Sequence, residues 1–166
     1  RAFSYWQEVI QNLNIVDRDI RPSYPLDPTI GTGISLTQGS YHFDYDNWKA
    51  PRQLSICCTC TLDQPHQFHL PTKDAVLKHT HFLDEYGFAY HRRERRDKHH
   101  NIRSAFFFLE GPMPVNIQIV ADAENRCILV HLLNLENHPR KRYRFLPESF
   151  DEALLERLAL MLIREK

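Results

Sequence analysis

The chain has 166 residues, 42% hydrophobic and 25% charged, and its 21 basic and 21 acidic side chains cancel. That composition excludes a disordered or fibrous protein. The longest apolar run, Leu158–Ile163, falls far short of the ~20 residues of a membrane span, and no charged-then-apolar leader opens the sequence.

The length predicts a single domain over 1–166 or, with Arg1 rather than Met in first place, a fragment of a longer protein. Three of the four cysteines (Cys57, Cys58, Cys60) crowd one stretch, where adjacent and i,i+2 pairs are poorly placed to bridge each other, and Cys127 stands apart. The expectation is free thiols in a reducing compartment, the cytoplasm.

At the start, Ser4 and Gln7 have capping-box spacing. Trp6, Val9, Ile10 and Leu13 follow at helical intervals, predicting a helix over about 4–13. The three prolines of "RPSYPLDP" (21–28) forbid helix, so residues 1–30 read as helix plus extended arm. Over 31–48, Ile34 and Leu36 alternate on one phase and Tyr41, Phe43 and Tyr45 on the other. Gly39 sits at the slip, which predicts a bulge or tight turn. In 52–62, Leu54, Ile56, Cys58, Cys60 and Leu62 share one face, with Ser55, Cys57, Thr59 and Thr61 opposite.

A second helix is predicted over 73–86, capped by Thr72 and closed at Gly87, with Phe88 folding back on Leu83. Its inner face is Ala75, Val76, His79, Phe82, Leu83 and Tyr86. From Phe88 the pattern becomes a meander of four or five strands, roughly 88–96, 102–110, 115–122, 126–134 and 141–146. Ala105–Leu109 and Cys127–Leu133 are apolar on both faces, as central strands covered on both sides would be. Ser149 with Glu152 opens a last helix, about 150–164, whose apolar surface is broader than one stripe. The predicted class is α+β, a mainly antiparallel sheet of five to seven strands. The helix at 73–86 and the last helix are expected on one face, with the first helix and the arm on the other or reaching a second subunit.

Zero net charge conceals a segregation. "HRRERRDKHHNIR" (91–103) carries +4 and "RKRYR" (140–144) another +4, so the remainder carries −8. Arg92, Arg93, Arg95, Arg96, Lys98 and Arg103, with Arg140, Lys141, Arg142 and Arg144, are therefore candidates for nucleic-acid phosphates or an acidic partner. In a sequential meander these segments are instead the two edge strands, which commonly carry Lys and Arg against aggregation and would lie several strands apart.

Ten histidines raise the question of zinc, the one cofactor the composition suggests. His66, His69 and His79 would supply three ligands if they converged, although no HExxH spacing accompanies them. In "HFDYD", His42, Asp44 and Asp46 alternate with aromatics and would project from one face, a weaker metal candidate. Cys57, among Ser and Thr, is the one plausible reactive thiol of its trio, but no catalytic cysteine signature and no GxSxG elbow is present.

The leading expectation is a non-catalytic protein-interaction or regulatory domain, associating with a partner or itself through a face that includes Trp6, Leu160 and Ile163. The alternatives are nucleic-acid binding through the basic strands and, third, a metal-dependent enzyme using the histidines. No membrane partner is expected.

Overall fold

The computed structural model describes residues 1–16, 18–136 and 138–165. In chain order the elements are α1 (Ala2–Val16), β1 (Ser23–Tyr24), β2 (Ile34–Ser35), β3 (Thr37–Tyr45), β4 (Gln53–Thr61), β5 (His66–Leu70), α2 (Lys73–Tyr86), β6 (Tyr90–Arg96), β7 (Ile102–Leu109), β8 (Met113–Asp122), β9 (Cys127–Leu135), β10 (His138–Phe145), a 3-10 turn (Pro147–Ser149) and α3 (Glu152–Leu162). The fold is α+β with antiparallel sheets of five, three and two strands, ordered β10-β9-β8-β4-β3, β5-β7-β6 and β1-β2. Among the described residues no helix is long and apolar enough to cross a membrane.

The strands predicted as one meander are thus shared between two sheets. Residues 1–20, 38–59 and 114–166 form one compact unit, and residues 21–37 and 60–113 a second. The predicted "helix plus arm" is divided accordingly, with α1 in the first unit and the Pro-rich arm in the second.

In the first unit, period-two alternation sends Leu54, Ile56 and Cys58 of β4 and Val115, Ile117 and Ile119 of β8 to one buried face. Helices α1 and α3 lie on that face. The Phe3 ring sits 5.4 Å from Phe43 and 4.9 Å from Tyr45, and Asn14 Nδ2 donates to the Tyr41 carbonyl at 3.0 Å. Gln38 Nε2 donates to the Leu162 carbonyl at 2.6 Å, satisfying an orphan group at the end of α3. The phase slip in β3 occurs where expected: Gln38 and Tyr41 are both buried, and Ser40, directly after Gly39, takes φ +58°.

Three sequence expectations are corrected here. Helix α1 begins at Ala2, so Ser4 lies within it rather than capping it. Ser149 belongs to the 3-10 turn, and Asp151 caps α3 by accepting from the Leu154 N–H at 2.9 Å. Trp6, assigned to an interaction face, is 0% exposed and its Nε1 has no hydrogen-bond partner among the described residues. Trp6 is a core residue.

In the second unit, β5 and β6 both run antiparallel to β7, which lies between them. They are therefore parallel to each other, joined by the α2 crossover: a split βαβ arrangement. Helix α2 keeps its predicted bounds. Thr72 accepts from the Ala75 N–H, and Gly87 adopts φ +63°, its N–H reaching Asp84 O while the Phe88 N–H reaches Leu83 O. Those two bonds form the left-handed stop that glycine adopts without strain.

Truncating Trp6 to Ala removes a fully buried indole, and a loss of about 3–5 kcal/mol in unfolding free energy is expected. Chemical denaturation of the variant measures it.

Candidate functional site

Because a strand presents alternate residues to opposite sides, β7 divides its aromatics. Phe107 points to α2 and is fully buried, stacking on Phe68 at 5.2 Å and meeting the His79 ring at 5.6 Å. Phe106 and Phe108 must then point the other way. Phe106 is 41% exposed and Phe108 half-buried, so the second face of β7 is not covered as expected.

Register places the neighbours. On β5, His69 stands opposite Phe106 and Gln67 opposite Phe108; on β6, Arg93 stands opposite Phe106, His91 opposite Phe108 and Arg95 opposite Ser104. The imidazoles lie against the phenyl rings, His69 to Phe106 at 4.6 Å and His91 to Phe108 at 4.7 Å and nearly parallel. Gln67, His69, His91, Arg93 and Arg95 are all exposed. This is an open ledge of four rings bordered by two guanidinium groups.

Three of the other four cations of this segment are engaged. Arg92 faces α2, pairing with Glu94 at 2.7 Å and donating to Thr80. Arg96 also pairs with Glu94, and Arg103 with Asp97 at 3.2 Å. Asp97 organises the β6–β7 turn that carries Lys98, accepting from the His99 and Asn101 N–H groups at 2.8 and 3.0 Å. Arg93, Arg95 and Lys98 make no ion pair among the described residues. In β10, Lys141 and the Tyr143 hydroxyl both donate to Glu136, at 2.8 and 2.6 Å, whereas Arg140, Arg142 and Arg144 occupy the opposite face. Both basic strands are sheet edges as the sequence suggested, but of different sheets in different units.

The metal candidates do not assemble. His66 and His69 project from opposite faces of β5, one toward Leu109 and the other toward Phe106. His66 Nε2 is bound to the buried Asp27 carboxylate at 2.6 Å, and His79 Nε2 donates to the Leu26 carbonyl at 2.7 Å. Thr29 adds two bonds to Asp27, N–H at 2.8 Å and Oγ1 at 2.6 Å, so the histidines fasten the Pro-rich arm. Asp46 lies just past β3, and its Oδ1 accepts from the N–H groups of Asn47, Arg52 and Gln53. His42 and Asp44 are exposed and remain without it. Among the described residues no three His, Cys, Asp or Glu side chains are placed to hold a metal ion. Burial and then the charge of Asp44 push the Cys57 thiol up, the reverse of nucleophile activation.

No family model, curated protein or solved structure matches this chain. Its functional reading therefore rests on the geometry of its own side chains.

The arm's anchor sets a pH dependence. Burial lowers the His79 pKa from 6.5, outweighing the Leu26 carbonyl and the Asp27 charge, so the folded ring is neutral. The unfolded chain takes up that proton first, and this stability is complete above pH 6.5 and lost as pH falls through and below it. For Asp27, burial raises the pKa, but the bonds from His66 and Thr29 outweigh it and hold the carboxyl below 3.8. Its contribution is present above pH 3.8 and fades with further acidification. Thermal melts from neutral to mildly acidic pH should show a falling Tm that is flatter in His79→Gln, whose amide still donates but does not titrate in this range.

Proposed function

We propose that this protein binds single-stranded nucleic acid on the exposed face of the β5-β7-β6 sheet. One observation carries the reading: Phe106 and Phe108 stand on the central strand of a sheet whose helix covers the other face. Edge protection accounts for Arg93 and Arg95 on β6, but not for exposed aromatics on β7. Stacking of unpaired bases on such rings, with nearby cations on the phosphates, is the usual economy of single-strand recognition. Duplex readout is disfavoured, because a broad sheet face carrying rings suits splayed bases rather than a groove.

Titration of short labelled RNA and DNA single strands at several salt concentrations tests it. Phe106→Ala should weaken binding by about 1–3 kcal/mol at every salt concentration. Replacing Arg93 and Arg95 by Ala should instead flatten the log–log salt slope by about 0.7 for each phosphate no longer neutralised. Absence of binding at low salt, or affinity indifferent to Phe106, would reject the proposal.

A second reading, self-association, is favoured by a separate feature. An apolar groove of about 320 Å³ runs between α1 and α3, lined by Tyr5, Val9, Leu13, Ala159, Leu160 and Ile163 among others. Ile15 and Val16, at the end of α1, are 78% and 64% exposed. Trp6 takes no part in it, but Leu160 and Ile163 do. Apolar groups on both walls favour pairing with a second copy. Sedimentation should then show a dimer at high concentration that Leu160→Glu abolishes; a monomer throughout would remove this reading.

A further inference from the structure

We propose that the β8–β9–β10 face of the first unit holds a second binding site, specific for a terminal phosphate monoester such as that of a mononucleotide. The inference is independent of the aromatic ledge, which belongs to the other unit. Across this face the register aligns Gln118 with His131 and His131 with Arg142, and beside that row Asn116 with Leu133 and Leu133 with Arg140. These six side chains border a recess of about 350 Å³.

Its lining contains two guanidinium groups, two carboxamides, an imidazole and part of Lys141, whose ammonium is tied to Glu136, and no carboxylate. Arg140, Arg142, Gln118 and His131 make no side-chain hydrogen bond or ion pair among the described residues. Asn116 accepts the Cys57 thiol on Oδ1 at 3.5 Å, an orientation that leaves both Nδ2 hydrogens for a ligand. The acid that acts on Cys57, Asp44, is on β3 at the far edge of the sheet from β10. So many donors facing one recess call for an acceptor-only ligand with several oxygens. A carboxylate has two oxygens and one charge; a phosphate monoester offers three terminal oxygens and up to two charges, suiting two forked guanidinium groups with amides beside them. Leu133 supplies an apolar contact for whatever the phosphate is attached to.

Isothermal titration of the full chain with inorganic phosphate and with adenosine 5′-monophosphate, at physiological ionic strength, tests the assignment. Saturable one-to-one binding is expected with both probes. Arg140→Gln or Arg142→Gln should weaken it about tenfold or more through the missing charge-assisted bonds. Arg142→Lys, which keeps the charge without the fork, should fall between. Phe106→Ala should leave binding of inorganic phosphate, which has no base to stack on that ring, unchanged, separating failure of this site from failure of the nucleic-acid reading. No saturable binding at millimolar probe, or equal binding by folded Arg142→Gln, would overturn the proposal. Displacement of the mononucleotide by an oligonucleotide lacking a terminal phosphate would also overturn it, reassigning the site to backbone phosphodiesters.

Discussion

Three phenylalanines in succession on one strand cannot all enter the same core. Period-two geometry sends Phe107 one way and its neighbours the other, and the single crossover helix of this unit covers only the Phe107 side. The inner layer is built around that ring: Phe68 stacks on it, His79 meets it edge-on, and Tyr90 lies 5.9 Å away while its hydroxyl donates to Asp84 on α2. Fully burying a phenylalanine is worth about 1.5–3 kcal/mol, so leaving Phe106 so open forgoes stabilisation that a polar residue there would not have offered. The flanking imidazoles and guanidiniums make that exposure tolerable in water and give it a chemistry.

The same alternation sorts the basic residues. In β6, the even positions Arg92 and Glu94 turn to α2 and neutralise each other, while Arg93 and Arg95 turn outward. In β10, Lys141 is tied to Glu136, and Arg140 and Arg142 face the recess. A dense run of charge is therefore two populations, one structural and one available. Counting Lys and Arg along the sequence does not separate them, but knowing which face meets the helix does.

Much of the local structure is legible in the sequence because its causes are local. Thr72 and Gly87 bound α2 through bonds made within a few residues, and the β4 alternation sorts Leu54, Ile56 and Cys58 from their neighbours without reference to distant parts of the chain. The failures have non-local or competing causes. Asp151 outcompetes Ser149 as a cap because Pro147 holds Ser149 in a 3-10 turn. Pairing of β5 with β7 cannot be read from periodicity, and with it the division into two sheets stays hidden. The opposed directions of His66 and His69 need only the recognition that "HQFH" is a strand, three residues apart being an odd step. Candidate residues Arg93 and Arg95 are visible as charge, while Phe106 and Phe108 pass for core as long as two covered faces are assumed. The donors Asn116, Gln118 and His131 give no signal, since they are gathered from β8 and β9 only by register.

The two basic strands also have a collective consequence. A sequence pI near 7.3 deprives the protein of net repulsion at neutral pH, yet +8 resides on two short edge segments and −8 elsewhere. Each open sheet edge repels the like edge of another copy, while the molecules as wholes attract through unlike regions. Added salt screens that attraction before it disturbs the apolar cores, because the Debye length shrinks from about 30 Å at 0.01 M to about 8 Å at physiological ionic strength. The protein should accordingly salt in, dissolving better in moderate salt than in dilute buffer, with its edges kept apart at close range by charge that the whole molecule does not possess.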